Sequence, residues 1–228
     1  RRVSHRARYQ HGAAGAGDFV TIEHMELRGY TSGGVIDART QIGINSLGTD
    51  TGHVNWLKLK SVYLRGWLHA INWAYTWNST LDDVDTINCT NGLRLFGQSV
   101  NNGVVNCRLL AEVVGGGASI LTVKDGGIKG EGLMVTNTLL ATGSAGVKSD
   151  GFLFMTIGQS VIDQIADTGL DLENCQGTTL LGSYVFAQNF GINIRPLSVL
   201  VDQGISLVGN TIEVAGDGGK CVFVQGNN

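Results

Sequence analysis

The chain has 228 residues, a formal net charge of −3, 43% apolar and 15% charged residues, 34 glycines and one proline. That balance suits a single elongated all-β unit, and the absence of a lysine/arginine stripe argues against nucleic acid as a partner. No stretch approaches the roughly 20 apolar residues that a membrane helix needs, so no membrane insertion is expected.

Residues 1–17 are locally basic, with Arg1, Arg2, Arg6 and Arg8 beside His5 and His11, and end in a glycine/alanine turn. They read as a tail or the remnant of an earlier coil, ahead of one β domain over residues 18–228. Within that domain a short strand recurs eight times: Gly34-Val35-Ile36, Ala70-Ile71-Asn72, Gly92-Leu93-Arg94, Ser119-Ile120-Leu121, Gly146-Val147-Lys148, Gly169-Leu170-Asp171, Gly191-Ile192-Asn193 and Cys221-Val222-Phe223. Val35 and Val222 lie 187 residues apart in seven steps, a period of about 27 that signals a solenoid or array.

A second row precedes the first in most repeats: Ser61-Val62-Tyr63-Leu64, Thr86-Ile87-Asn88-Cys89, Asn106-Cys107-Arg108-Leu109, Ser160-Val161-Ile162, Ser183-Tyr184-Val185-Phe186 and Asn210-Thr211-Ile212. Alternation with period two marks both rows as strands, and no segment sustains helical periodicity. Two or three short strands per repeat fit the coil of a parallel β-helix better than a four-stranded propeller blade of about 40 residues. Successive coils then stack about 4.8 Å apart, and the Ser/Thr/Asn row becomes an internal polar ladder at a corner.

Along the chain, all four tryptophans fall between Trp56 and Trp77. On a regular strand Trp73, Tyr75 and Trp77 share one face, which makes them candidate sugar-stacking, substrate-binding residues. Core or interface packing is the alternative, since aligning Ile71 with Leu93 turns Trp73 inward. Asp82, Asp83 and Asp85 form an acidic group in which a regular strand sends Asp82 and Asp83 to opposite faces. The four cysteines, Cys89, Cys107, Cys175 and Cys221, lie singly without metal-ligand spacing and read as buried free thiols, suited to folding in a reducing compartment. No metal or other cofactor is assigned.

Alternation in the first row sends Leu93/Leu95, Leu170/Leu172 and Ile192/Ile194 inward, leaving Arg94/Phe96, Asp171/Glu173 and Asn193/Arg195 outside, with Lys148/Asp150 as the equivalent pair one coil earlier. Stacking then places Lys148 over Asp171 over Asn193, beside Asp150 over Glu173 over Arg195. Paired carboxylates at a fixed separation are what glycoside hydrolysis uses. Asp150, Asp171 and Glu173 are therefore the candidate catalytic residues, and Lys148, Asn193 and Arg195 candidate substrate-binding residues. A solvated face of opposite charges is the plainer reading of the same lattice.

The pattern Ile205-Ser206-Leu207-Val208-Gly209-Asn210-Thr211-Ile212-Glu213-Val214, followed one corner later by Lys220-Cys221-Val222-Phe223-Val224, resembles the right-handed parallel β-helix of the pectate-lyase-like superfamily. More particularly it resembles bacteriophage tailspikes, trimeric virion proteins that bind and often cleave bacterial surface polysaccharide. The resemblance implies a homotrimer folded in the host cytoplasm and joined to other virion tail proteins. It also implies a depolymerase acting on capsule or O-antigen, with endo-glycosidase chemistry as the first expectation. A non-catalytic receptor-binding spike and a cellular β-helix lyase or adhesin are the alternatives. The polygalacturonase elements that would accompany Asp82-Asp83, a Gly-His-Gly and an Arg-Ile-Lys, are absent.

Overall fold

Short strands that alternate apolar and polar residues cannot bury an apolar face alone, and stacking identical coils solves this for every coil at once. The computed structural model of the chain, which describes residues 19–29, 38–112, 116–195 and 204–225, is a parallel β-solenoid of about seven turns, without a helix among the described residues. An eight-stranded parallel sheet takes one strand from each coil: Ala38–Leu47, Trp67–Ala74, Asn91–Phe96, Ala118–Val123, Ala145–Asp150, Thr168–Glu173, Phe190–Arg195 and Lys220–Val224. These strands number the coils one to eight. Ile44, Ile71, Leu93, Ile120, Val147, Leu170, Ile192 and Val222 lie over one another down its length.

The repeat expected from the sequence needs one correction. The residue stacked against Ile71 is Ile44, not Val35; Gly34-Val35-Ile36, like residues 1–17 and Pro196, lies outside the described residues. Coil lengths along the column run from 22 to 30 residues instead of a steady 27. Corners absorb the difference, because only the strands must stay in register.

The other wall is a thirteen-stranded parallel sheet that bends within each coil. The bend is a column of left-handed residues, His24, Ser61, Asp83, Asn106, Asn137 and Gln159 (φ 48° to 57°), continued by Gly182 and Gly209. Immediately beyond it the expected polar ladder is present. The backbone N–H of Cys107 donates to Thr138 Oγ1 (3.3 Å), that of Thr138 to Ser160 Oγ (3.3 Å), that of Ser160 to Ser183 Oγ (3.2 Å) and that of Ser183 to Asn210 Oδ1 (2.9 Å). Each hydroxyl donates back to the carbonyl two residues earlier in its own coil. The ladder thus runs through Cys107, where the sequence row pointed to Asn106, and Ser61 belongs to the bend column instead.

Between the walls lies a core of Leu, Ile and Val that includes Leu59, Leu81, Leu93, Leu140, Ile157 and Leu170, all fully buried. Near the start of individual strands of the eight-stranded sheet the opposing wall comes so close that side chains are excluded. A Cβ on Gly169 would lie 2.5 Å from both the Val185 methyl and the Gly191 carbonyl oxygen, and methyls of Ile162 and Ile212 press in the same way on Gly146 and Gly191. This explains the glycine that opens so many copies of the repeat. Three cysteines are buried free thiols as expected, whereas Cys221, on the last described coil, is exposed.

Two stability outcomes follow. Gly169→Ala should destabilise the fold by about 1–3 kcal/mol through overpacking, and Ser160→Ala by about 1–3 kcal/mol because it strands the Thr138 N–H without an acceptor. Urea denaturation followed by circular dichroism checks both, and wild-type midpoints would contradict the packing described.

Candidate functional site

The outer face of the eight-stranded sheet carries the lattice read from the sequence. Lys148, Asp171 and Asn193 are register partners on coils five to seven, and Asp150, Glu173 and Arg195 form the adjacent column. The structure brings all six together. Strands of equal length and strict alternation do this, so side chains over 20 residues apart in sequence become neighbours at the strand spacing of about 4.8 Å.

Arg195 is the hub. Its Nε and Nη2 donate to the two oxygens of Asp171 (3.0 and 2.7 Å), and its Nη1 reaches Glu173 Oε2 (2.8 Å). Burial works against the guanidinium charge, but Asp171, Glu173 and the more distant Asp150 outweigh it and hold Arg195 above its ordinary value. Asp171 accepts a third hydrogen bond from Asn193 Nδ2 (3.0 Å), whose Oδ1 accepts in turn from Gln225 (3.3 Å). Lys124 Nζ meets Asp150 Oδ1 at 2.9 Å.

These contacts separate the three acids chemically. Asp171, only 15% exposed in its side chain, is saturated by three donors, a task for a fixed anion that positions its neighbours. Asp150 and Glu173, 35% and 30% exposed, each give one oxygen to a cation, and the other forms no ion pair among the described residues. Lys148 is exposed beside them and forms no ion pair among the described residues. Lys124, on the corner after coil four, escaped the sequence reading because corners carry no register.

The aromatic group is not the single face expected. Trp73 shares the inward parity of Ile71 and is fully buried in the core. Tyr75 takes a left-handed φ of 51°, which ends the strand and breaks alternation. Its ring lies against Gly97, and its hydroxyl donates to Asp125 Oδ2 at 2.5 Å, an interaction that raises the phenol to about 12. Trp77 is half-buried, stacked on His53 at 3.8 Å and donating to the Gln98 carbonyl. Of Trp73, Tyr75 and Trp77, only Trp77, with His53 stacked on it, is not buried.

The acidic group at Asp82, Asp83 and Asp85 is dispersed. Asp83 sits on the bend column, so the parity argument fails and all three side chains lie outside the core. Each meets a different coil neighbour: Lys58 for Asp82 (3.7 Å), Ser61 for Asp83 (2.7 Å) and Arg108 for Asp85. Among the described residues no group of three His, Cys, Asp or Glu side chains is placed to hold a metal ion.

On the same outer face, below the lattice, the third coil presents Arg94 and Phe96, with the guanidinium 4.7 Å from the ring centroid. Above the lattice, Phe190 and Phe223 stack at 5.5 Å, with Lys220 4.1 Å from the Phe223 ring. Alternation in the sequence placed Arg94 and Phe96 outside, but nothing in it indicated that Arg94 would be left without a charged partner among the described residues.

No protein-family model matches this sequence, and no curated protein does. Solved structures do. ORF18 of Geobacillus virus E2 aligns with 96% of this chain and 56% of its own, at 9% identity and a TM-score of 0.53. DFA-IIIase from Arthrobacter chlorophenolicus A6 in complex with GF2 aligns with 74% of this chain and 47% of its own, at 12% identity and a TM-score of 0.51. An alginate lyase from Paenibacillus sp. str. FPU-7 aligns at 14% identity over 91% of this chain and 88% of its own, with a TM-score of 0.48. The shared feature is the parallel β-solenoid. At these identities the likeness is one of fold, and the chain spans about half the length of the first two proteins.

One titration near this face is testable now. Asn91 Oδ1 accepts from the Ala118 N–H (3.0 Å), which turns its Nδ2 toward His69 Nδ1 (3.1 Å) and requires that nitrogen unprotonated. Burial, and then the Arg94 charge, push His69 down to about 4. Between about pH 6.5 and 4 the unfolded chain takes up a proton that the folded chain refuses, so His69 costs stability increasingly as pH falls through that window. The melting temperature should therefore drop on acidification and drop less in His69→Gln. Parallel curves for the two proteins would exclude His69 as a contributor.

Proposed function

We propose that the chain is a carbohydrate-acting β-solenoid of the phage tailspike kind, whose eight-stranded outer face binds and cleaves a bacterial surface polysaccharide. The observation that carries this reading is the register of Asp150 with Glu173. Adjacent coils hold their Cα atoms about 4.8 Å apart, close to the carboxyl separation of about 5–5.5 Å used by retaining glycosidases. Each of the two acids keeps one oxygen free of cations.

In this reading Asp150 and Glu173 share the acid/base and nucleophile roles. Asp171 is a positioning residue that fixes Arg195, which in turn orients Glu173. Lys148 meets sugar substituents, with Trp77 as an outlying aromatic contact, while Asn193, buried and hydrogen-bonded at both ends of its amide, braces Asp171. Hydrolysis is the first reading because the carboxylates are paired; Arg195, engaged by two carboxylates, is no base, which leaves Lys148 as the base for a lyase reaction. Viral ORF18, whose fold covers nearly all of this chain, supports a virion setting. DFA-IIIase, solved with GF2, supports a saccharide ligand for such a wall. Exposed Met134, Val161 and Leu181 on the bent sheet supply apolar surface that a homotrimer would cover.

Incubation with capsular and O-antigen polysaccharides tests the reading, with new reducing ends reporting hydrolysis and absorbance of unsaturated uronates reporting elimination. Asp150→Asn and Glu173→Gln should each lower turnover by about 10²–10⁴-fold, the usual worth of a positioned acid or base, with the circular dichroism spectrum retained. Undiminished turnover in both would remove the pair. Binding without cleavage by the wild type would favour the receptor-binding spike.

A further inference from the structure

We propose that the guanidinium of Arg94, held between Asn72 and Phe96 on the outer face of the eight-stranded sheet, receives the carboxylate of an acidic sugar. The inference rests on the reading of this face as a glycan-binding wall and names the class of glycan it takes.

Three other arginines of the solenoid are neutralised from within, whereas Arg65, on the bent sheet, forms no ion pair among the described residues and keeps a buried Nε without a partner. Arg28 meets Glu26, Arg108 meets Asp85, and Arg195 meets Asp171 and Glu173. Arg94 meets no carboxylate among the described residues. Its column runs Asn45, Asn72, Arg94, Leu121, Lys148, so its stacked neighbours are an amide and an alkyl side chain. Burial depresses its pKa, and no acid offsets that effect.

The side chain is nonetheless held in place. Asn72 Nδ2 donates to Asn45 Oδ1 (2.8 Å), which turns Asn72 Oδ1 toward Arg94, where it accepts from Nη1 (2.8 Å). Phe96 covers one face of the guanidinium at 4.7 Å. Nε and Nη2 are left without an acceptor among the described residues. Two parallel donors on one edge of a planar cation match a carboxylate in geometry and charge, and holding the fork in advance lowers the ordering cost of binding.

Position adds the second argument. Lys148, the other cation of this column without an ion pair, stands two coils away, about 10 Å at the strand spacing, with only Leu121 between them. The acids proposed to cleave begin at Asp150, beside Lys148. A polyanionic glycan laid along the column would meet Arg94, then Lys148, then the carboxylates. A neutral glycan would leave both cations unanswered.

Isothermal titration of the full chain with oligogalacturonate and oligoglucuronate, and with the same oligosaccharides after reduction of their carboxyl groups, tests the assignment. The wild type should prefer the acidic forms by at least about tenfold, a modest share of what a charge-assisted bidentate pair provides. Arg94→Gln should lose that preference, Arg94→Lys should retain part of it, and Arg108→Gln, on the other sheet, should keep it whole. Circular dichroism verifies that each variant is folded. No preference in the wild type, the same preference in Arg94→Gln, or equal competition by sodium sulfate would overturn the inference. If Arg94→Gln still discriminates while Asp150→Asn and Glu173→Gln lose cleavage, the proposed function stands without this site. If discrimination disappears in Arg94→Gln while both acid variants still cleave, this site stands without that reaction.

Discussion

Main-chain hydrogen bonding in both large sheets runs between successive coils, parallel and in register, and every other property of the molecule is arranged around it. Such bonding fixes the vertical spacing of all outward side chains at once. It also demands that each backbone group at a corner find a partner in the coil above or below. The chain of Thr138, Ser160, Ser183 and Asn210 extends the main-chain pattern with hydroxyl and amide oxygens where the backbone turns too sharply to continue it. Because each coil touches chiefly its neighbours, stability accumulates coil by coil and no central nucleus dominates.

The same constraint shapes the charged face. An acid on one coil is answered by a cation on an adjacent coil: Asp150 by Lys124, and Asp171 and Glu173 by Arg195. A single residue on coil seven therefore organises two on coil six, and through Asn193 and Gln225 the arrangement is braced from coil eight. Asp150 belongs to a different pair, so Asp150 and Glu173 are held from opposite directions along the solenoid. This division is what allows two acids on adjacent coils to sit in distinct surroundings, the condition for distinct protonation roles.

Much of this was legible in the sequence because alternation with period two survives wherever strands are regular. Coils five to seven have strands of six residues with glycine at the second position, and the columns of Lys148 and Asp150 were placed correctly from pattern alone. Legibility failed wherever a residue adopts left-handed backbone geometry. Tyr75 breaks its strand and separates Trp73 from Trp77; Asp83 breaks the parity of the acids around it; Asn106 shifts the polar row by one residue onto Cys107. None of these is glycine, so composition gave no warning. The first coil was misplaced because Val35 and Ile44 lie in similar local contexts, and only pairing with Ile71 distinguishes them. Corner residues such as Lys124 and Asp125 contribute partners that no periodicity can locate.

Of the four thiols, Cys89, Cys107 and Cys175 are sealed in the interior, where burial pushes each above its ordinary pKa and quiets its chemistry, while Cys221 stands on the surface of the eighth coil. With a single accessible thiol among the described residues, oxidation outside a reducing compartment can join one solenoid to one other through this residue and then stops. The folded solenoid is in that respect monovalent: covalent pairs are the end point, and disulfide-linked chains of many copies would require the interior first to open.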